Sequence, residues 1–315
     1  MAKFLALASA ALAAGTPCAT DADCPFGGAA WRCCGTGLAP SVGENCAKVS
    51  APPAPGAGGN CTLPGSTGAT RCACRAPPSC GMDKPYPPAS AGQAQWLMIG
   101  DSISYGCLGP AKAAAAARGI EVTHNPTNAA NVWWGAHCLD AWLGANAGRW
   151  DAISFQFGLH DLALDNERLE PQGVYRGLLA NITQRLADAA PRAKLLWVTT
   201  TPVPRGIGGY CNKTTGQGGC PPRRAADPPL YNAAAAEAVA SVPAAPRVAT
   251  LDLYRTVTDT CGVSYDRCPE GCTGQKVNGT WVGDCYQIPL NVHFFPAAWQ
   301  QLGGAYVDAI GALLS

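Results

Sequence analysis

The chain has 315 residues, of which 48% are apolar and 14% charged, with 37 glycines, 27 prolines and a formal net charge of +1. That is enough chain for one enzyme-sized domain and a small companion. The balanced charge excludes the basic footprint expected of nucleic-acid or anionic-membrane partners, and the 17 cysteines point to a compartment in which disulfides persist.

The first element is MAKFLALASAALAAGTPC: Lys3, an apolar run from Phe4 to Ala14, and the small-residue set Ala11-Leu12-Ala13. This layout is that of a secretory signal peptide, assigned to residues 1–14. The run is too short to span a bilayer, and no other stretch of about 18 apolar residues occurs. A secreted, extracellular protein with no integral membrane segment is therefore expected. The sequons at Asn60, Asn181, Asn212 and Asn278 fit a glycoprotein.

Nine cysteines follow in the first quarter, at 18, 24, 33, 34, 46, 61, 72, 74 and 80. Few aliphatic residues accompany them, so residues 15–80 are expected to form a module held by disulfides rather than by a core. A metal site is the competing account, but the paired C-x-x-C spacing of zinc modules is missing. The opening CATDADCPFGG loosely resembles epidermal-growth-factor-like modules. A spacer or adhesion role is expected for it, with glycan binding as the alternative. Residues 81–94, rich in Pro and Ala, read as a linker. Beyond them eight cysteines, an even number, are expected to be fully paired, with Cys211–Cys220 the local pair.

From residue 95 onward short apolar runs alternate with helical patterns. The strand candidates are QWLMIGD, IEVTHN, AISFQFG, KLLWVTTT and RVATLDLY; AKAAAAARG, GAHCLDAWLG, PQGVYRGLLANITQRLADAA and PLYNAAAAEAVASV lie between them as helices. A closing helix spaces Trp299, Leu302, Tyr306, Ile310 and Leu313 along one face. Strands alternating with helices imply a parallel sheet covered on both faces, a three-layer α/β/α sandwich. In such a sheet ligands bind outside the carboxyl ends of the strands. Three polar-tipped segments fall at those ends, GDSIS from Gly100, NAANVWW from Asn128 and GLHD from Gly158, and a fourth, NVHFFP from Asn291, stands before the closing helix.

Taken singly, each has an ordinary explanation. Ser102 in Gly100-Asp101-Ser102 could cap a helix, His160 could bridge loops, and His124 and His137 read as core or surface fillers. As an ordered set over residues 95–315 they resemble the SGNH/GDSL hydrolase superfamily, and its extracellular esterase-like members in particular. The resemblance implies a flavodoxin-like fold with a five-stranded parallel sheet. It implies Ser102 as nucleophile, His293 as the base that takes its proton, and an oxyanion hole built from the Ser102 N–H, the Ala129 N–H and the side chain of His160. His160 stands where the family carries Asn, and a neutral imidazole still offers one N–H. The acid that usually precedes the catalytic His by three residues is replaced by Leu290. Asn291 is the nearest substitute, with Asp284 and Asp252 as further candidates. No metal or organic cofactor is implied. The expected function is a monomeric secreted serine ester hydrolase working through an acyl-enzyme. Trp133, Trp134 and the secreted context favour short, acetyl-type esters, as on an acetylated polysaccharide. The competing expectation is a catalytically weak or silent extracellular scaffold with a glycan-binding or adhesive role.

Overall fold

The structure, a computed structural model, describes residues 79–163, 171–204, 223–261, 274–277, 280–283, 285–288 and 291–315. It also describes four two-residue strand segments earlier in the chain. Of these, Cys33–Cys34 pairs antiparallel with Ala73–Cys74 and Asn60–Cys61 with Thr70–Arg71. Residues 1–14, expected to be a signal peptide, and the remainder of the expected cysteine-rich module lie outside the described residues, as do Cys211, Cys220, Asp284 and Leu290.

The main body is a five-stranded parallel sheet of β1 (Ala94–Ile99), β2 (Ile120–His124), β3 (Ala152–Gln156), β4 (Lys194–Val198) and β5 (Val248–Leu251), in the order β2-β1-β3-β4-β5. That order belongs to the flavodoxin-like doubly wound class, so the three-layer expectation holds. Burial follows position. Every residue of β3 and all but the first of β1 and β4 are buried, whereas the edge strand β2 alternates buried and half-buried positions. Central strands of a parallel sheet are covered on both faces and need near-continuous apolar sequence. The connecting helices are α1 (Ser102–Ala116), α2 (Val132–Leu143), α3 (Arg176–Ala189), α4 (Asp227–Ala240), α5 (Leu253–Cys261) and α6 (Pro296–Leu314). Helix α1 packs on α6, and α3 lies between α2 and α4. A short antiparallel hairpin, β6 (Gly274–Val277) with β7 (Thr280–Gly283), precedes the last helix. None of the described helices is long and apolar enough to cross a membrane.

Helix α1 begins nine residues before the Ala tract that announced it. Gly106, Gly109 and Pro110 lie inside it. The α1–α6 contact explains the glycine at 106, where a Cβ would sit 2.5 Å from the Trp299 ring. Small side chains here let the two helices meet closely enough to bury Cys107 and Ala111 completely.

Two expectations are corrected. Cys107 is a free, fully buried thiol, so the eight later cysteines are not all paired; it sits in the α1 interior, where it packs as a small hydrophobe. Cys261 and Cys285 are disulfide-bonded. The stretch expected to be a linker is also no loose spacer. Cys80 is bonded to Cys138 of α2, and its carbonyl accepts the Trp142 indole N–H at 3.0 Å. Tyr86 packs edge-on against Trp150 with ring centroids 5.6 Å apart. Arg149 Nη1 donates to the Pro87 carbonyl at 2.9 Å, and the Ser90 N–H donates to Glu121 at 2.9 Å. The Cys80–Cys138 bond closes a loop with a sequence separation of 58. By loop-closure entropy its removal in Cys80→Ser is expected to cost about 4 kcal/mol, read as a lower urea midpoint with a somewhat steeper slope, because the freed denatured chain exposes more surface.

Candidate active site

Strand β1 ends at the topological switch point of the sheet, with β2 on one side of it and β3 on the other, the place where ligands bind in sheets of this class. The chain turns there through Gly100-Asp101-Ser102. A Cβ at Gly100 would meet Ser104 Oγ at 2.5 Å, so only glycine fits. The Gly100 N–H donates to Asn125 Oδ1 at 2.9 Å, tying the turn to the end of β2. Asp101, and not Ser102, is the N-cap of α1: its Oδ1 accepts the Ile103 N–H at 2.8 Å. The helix-cap explanation of Ser102 therefore fails, and its hydroxyl is left for another partner. As the first helical residue Ser102 also has an N–H with no intrahelical acceptor. Asp101 is fully buried, and desolvation pushes its carboxyl up to about 6.

The partner of Ser102 is His293, with Nε2 2.8 Å from Ser102 Oγ. The segment carrying His293 is held by a narrow antiparallel contact between Gln287 and Phe294. The Ile288 N–H donates to the His293 carbonyl at 2.9 Å, and the Phe295 N–H donates to that of Tyr286 at 3.1 Å. Pro296 then opens α6 at a position where the lost N–H costs nothing.

On the far side of the ring, His293 Nδ1 is 2.7 Å from Asn291 Oδ1. The same oxygen accepts the backbone N–H of His293 at 3.0 Å. That second bond settles which end of the amide faces the ring, because a backbone N–H can only donate and so requires the oxygen. Nδ1 must then carry the proton, which leaves Nε2 as an acceptor aimed at the Ser102 hydroxyl. This is the tautomer a general base needs. Of the other acid candidates, Asp252 is spent capping α5, with Oδ1 accepting from the Arg255 N–H at 2.9 Å and from Thr199 Oγ1 at 3.0 Å.

His160 is half-buried at the end of the loop that follows β3, within electrostatic reach of His293. Burial, then the Arg223 guanidinium and then His293 push its pKa down to about 4, so it is a neutral imidazole at ordinary pH. Burial and Arg223 lower His293 as well. Next to His160, Asp161 is fully buried and accepts the Val132 N–H at the start of α2 at 2.9 Å; desolvation raises its carboxyl to about 8.

The expected Ala129 donor is a correction. Its N–H is already given to the Gly100 carbonyl at 3.0 Å, and the residue is fully buried. It anchors the loop after β2 to the nucleophile turn and has no donor left for a reacting oxygen. Ala130 is the sole non-glycine residue with positive φ among the described residues, at 49°. Its N–H donates to Asn128 Oδ1 at 2.8 Å. Strain of this kind gathers at functional loops.

Sequence patterns gave no sign of Arg223. It is 3% exposed, its Nε donates to the Leu159 carbonyl at 2.7 Å, and its charge is felt by Asp101, His160 and His293. It follows a Pro-rich stretch in no recognisable motif, so only the fold brings it to the site. His124 is a buried filler, its Nε2 2.7 Å from Ser104 Oγ. Among the described residues one group has metal-ligand geometry, Cys80, His137 and Cys138. Its two sulfurs are bonded to each other.

No protein-family model and no curated protein matches the chain. Similar solved structures include a "possible lipase" from Chitinophaga pinensis, with TM-score 0.47 and 16% identity, covering 71% of this chain and 100% of that one. An alpha/beta hydrolase from the metagenome of Lake Arreo has TM-score 0.46 and 13% identity, covering 72% and 99%. A catalytic mutant of an acetylxylan esterase from Geobacillus stearothermophilus has TM-score 0.42 and 15% identity, covering 71% and 97%.

Proposed function

We propose that the protein is a serine ester hydrolase of the SGNH type. The observation that carries the proposal is the relay Ser102 Oγ to His293 Nε2 at 2.8 Å and His293 Nδ1 to Asn291 Oδ1 at 2.7 Å, at the carboxyl edge of a parallel sheet. The Ser102 oxygen attacks the ester carbonyl while its proton passes to His293 Nε2. The tetrahedral oxyanion takes hydrogen bonds from the Ser102 N–H and the neutral His160 imidazole. His293 returns the proton to the departing alcohol. Water then repeats the sequence on the acyl-enzyme and frees the acid.

In this proposal the ester is short, of the acetyl type, carried on a carbohydrate, and the enzyme works outside the cell. The support is the leader-like residues 1–14, the disulfides and the half-buried Trp134 beside the α2 N-terminus. A panel of p-nitrophenyl esters from acetyl to palmitoyl, with acetylated and deacetylated xylan, tests it. Acetyl preference and acetate release from xylan are expected. Preference for long acyl chains overturns the substrate class. Binding to xylan with no turnover of any ester marks a silent scaffold.

His160 is expected to act as a donor and not as a base. His160→Ala should lower kcat by about 10²–10³ with KM little changed, the usual cost of one lost oxyanion donor. His160→Asn restores an amide donor and should keep or raise the rate. If Asn is as damaging as Ala in steady-state assays, the donor role falls.

A further inference from the structure

We propose, on the hydrolase proposal above, that Arg223 is a positioning residue of the reaction: it fixes the Leu159–His160 backbone through its Nε–H and sets a buried positive charge beside both imidazoles. Three observations converge. Arg223 is 3% exposed, deeper than any residue of the relay, which is half-buried. Its Nε–H meets the Leu159 carbonyl at 2.7 Å, one peptide unit before the His160 side chain. The groups that feel its charge come from three separate parts of the site: Asp101 on the nucleophile turn, His160 after β3 and His293 before α6.

A guanidinium stays charged at every working pH. In a relay whose third member is a carboxylate, the ring is stabilised as imidazolium and the oxyanion is balanced by dipoles. Here the third member is the neutral Asn291, so the charge of the site lies on the other side. Arg223 favours the oxyanion as it forms and disfavours imidazolium in the resting enzyme. Among the described residues, Ser102 from α1 and Asn291 from its own segment touch the His293 ring, and His160 from the loop after β3 and Arg223 from the segment leading into α4 lie within electrostatic reach of it. Of these only Arg223 carries a fixed charge. The resting base therefore remains neutral into mildly acidic solution, and its acid limb lies below the ordinary histidine value of about 6.5.

The test compares Arg223→Met and Arg223→Lys with the full wild-type chain. Two readouts are taken: kcat/KM against pH on p-nitrophenyl acetate, and the NMR titration midpoint of the His293 ring in the Ser102→Ala background. Arg223→Met should move both the acid limb and the midpoint upward by roughly half a pH unit or more and lower kcat roughly tenfold. Arg223→Lys retains the charge and loses the planar donor. Its limb and midpoint should stay at the wild-type values while kcat falls with KM unchanged. If Arg223→Met does not fold, the lysine variant decides: a moved midpoint or an unchanged kcat overturns the proposal. If Ser102-dependent turnover is present and the midpoint in Arg223→Met is unmoved, the Arg223 proposal fails alone. If the midpoint moves but no Ser102-dependent turnover is found, the hydrolase proposal fails instead.

Discussion

Ser102→Ala is expected to lower kcat for p-nitrophenyl acetate by at least about 10⁴ while changing the free energy of unfolding by less than about 1 kcal/mol. The two halves have different causes. The hydroxyl is the reacting group, and knocking out the nucleophile of a complete triad costs about 10⁶. A relay with an amide in third place starts from a lower rate, so the measured fall is smaller by whatever the amide costs. The size of the fall thus reports how well Asn291 does its work. The stability half rests on the helix cap. Asp101 holds the first turn of α1 through Ile103 N–H, and the Ser102 hydroxyl bonds only to a half-buried imidazole. Nothing in the core loses a partner. Rates within tenfold of wild type would remove Ser102 from the chemistry, and a large drop in unfolding midpoint would show that the hydroxyl is structural.

The sheet was legible because its signal is carried by composition. Trp96 to Ile99, Ala152 to Gln156 and Leu195 to Val198 are continuous buried runs, and only a strand covered on both faces tolerates such runs at that length. The start of α1 was not legible. Gly106, Gly109 and Pro110 read as breakers by local propensity, and it takes a helix from 190 residues away to explain the first of them. The same limit separates the site residues. Ser102 and His293 sit in motifs whose order along the chain carries information. Ala129 was misassigned because sequence cannot say that its N–H, in the loop after β2, is spent on the Gly100 carbonyl. Arg223 was missed because a buried arginine outside a motif looks like any surface arginine until its surroundings are known. Asn291 was seen as the nearest substitute for an acid. What the sequence could not supply is the backbone N–H of His293 that orients its amide.

That orientation leads to the second large effect. Exchanging the triad Asp for Asn in a serine protease costs about 10⁴, largely because the imidazole is held in the wrong tautomer. In this protein the His293 backbone N–H holds Asn291 Oδ1 toward Nδ1, so the tautomer part of that cost is absent and the missing charge remains. Asn291→Asp changes one NH₂ for an oxygen at nearly constant shape. Both acceptor contacts survive, and a carboxylate now faces the imidazolium as it forms. Turnover at pH 8 should rise by about 10- to 100-fold, well under the full triad penalty of about 10⁴ because the tautomer is already the right one. The carboxylate also favours the protonated ring at rest, so the pKa of His293, lowered at present by burial and Arg223, should rise. The acid limb of kcat/KM then moves to higher pH, and the variant's advantage should shrink steadily as the assay is taken from pH 8 toward pH 5. Asn291→Ala removes both acceptor contacts, frees the ring to rotate and should fall well below wild type at every pH. A gain at pH 8 that persists undiminished at pH 5 would mean that the new carboxylate does not couple to His293. An Asn291→Asp protein that folds normally and is no faster than Asn291→Ala would show that residue 291 does not face the ring during turnover.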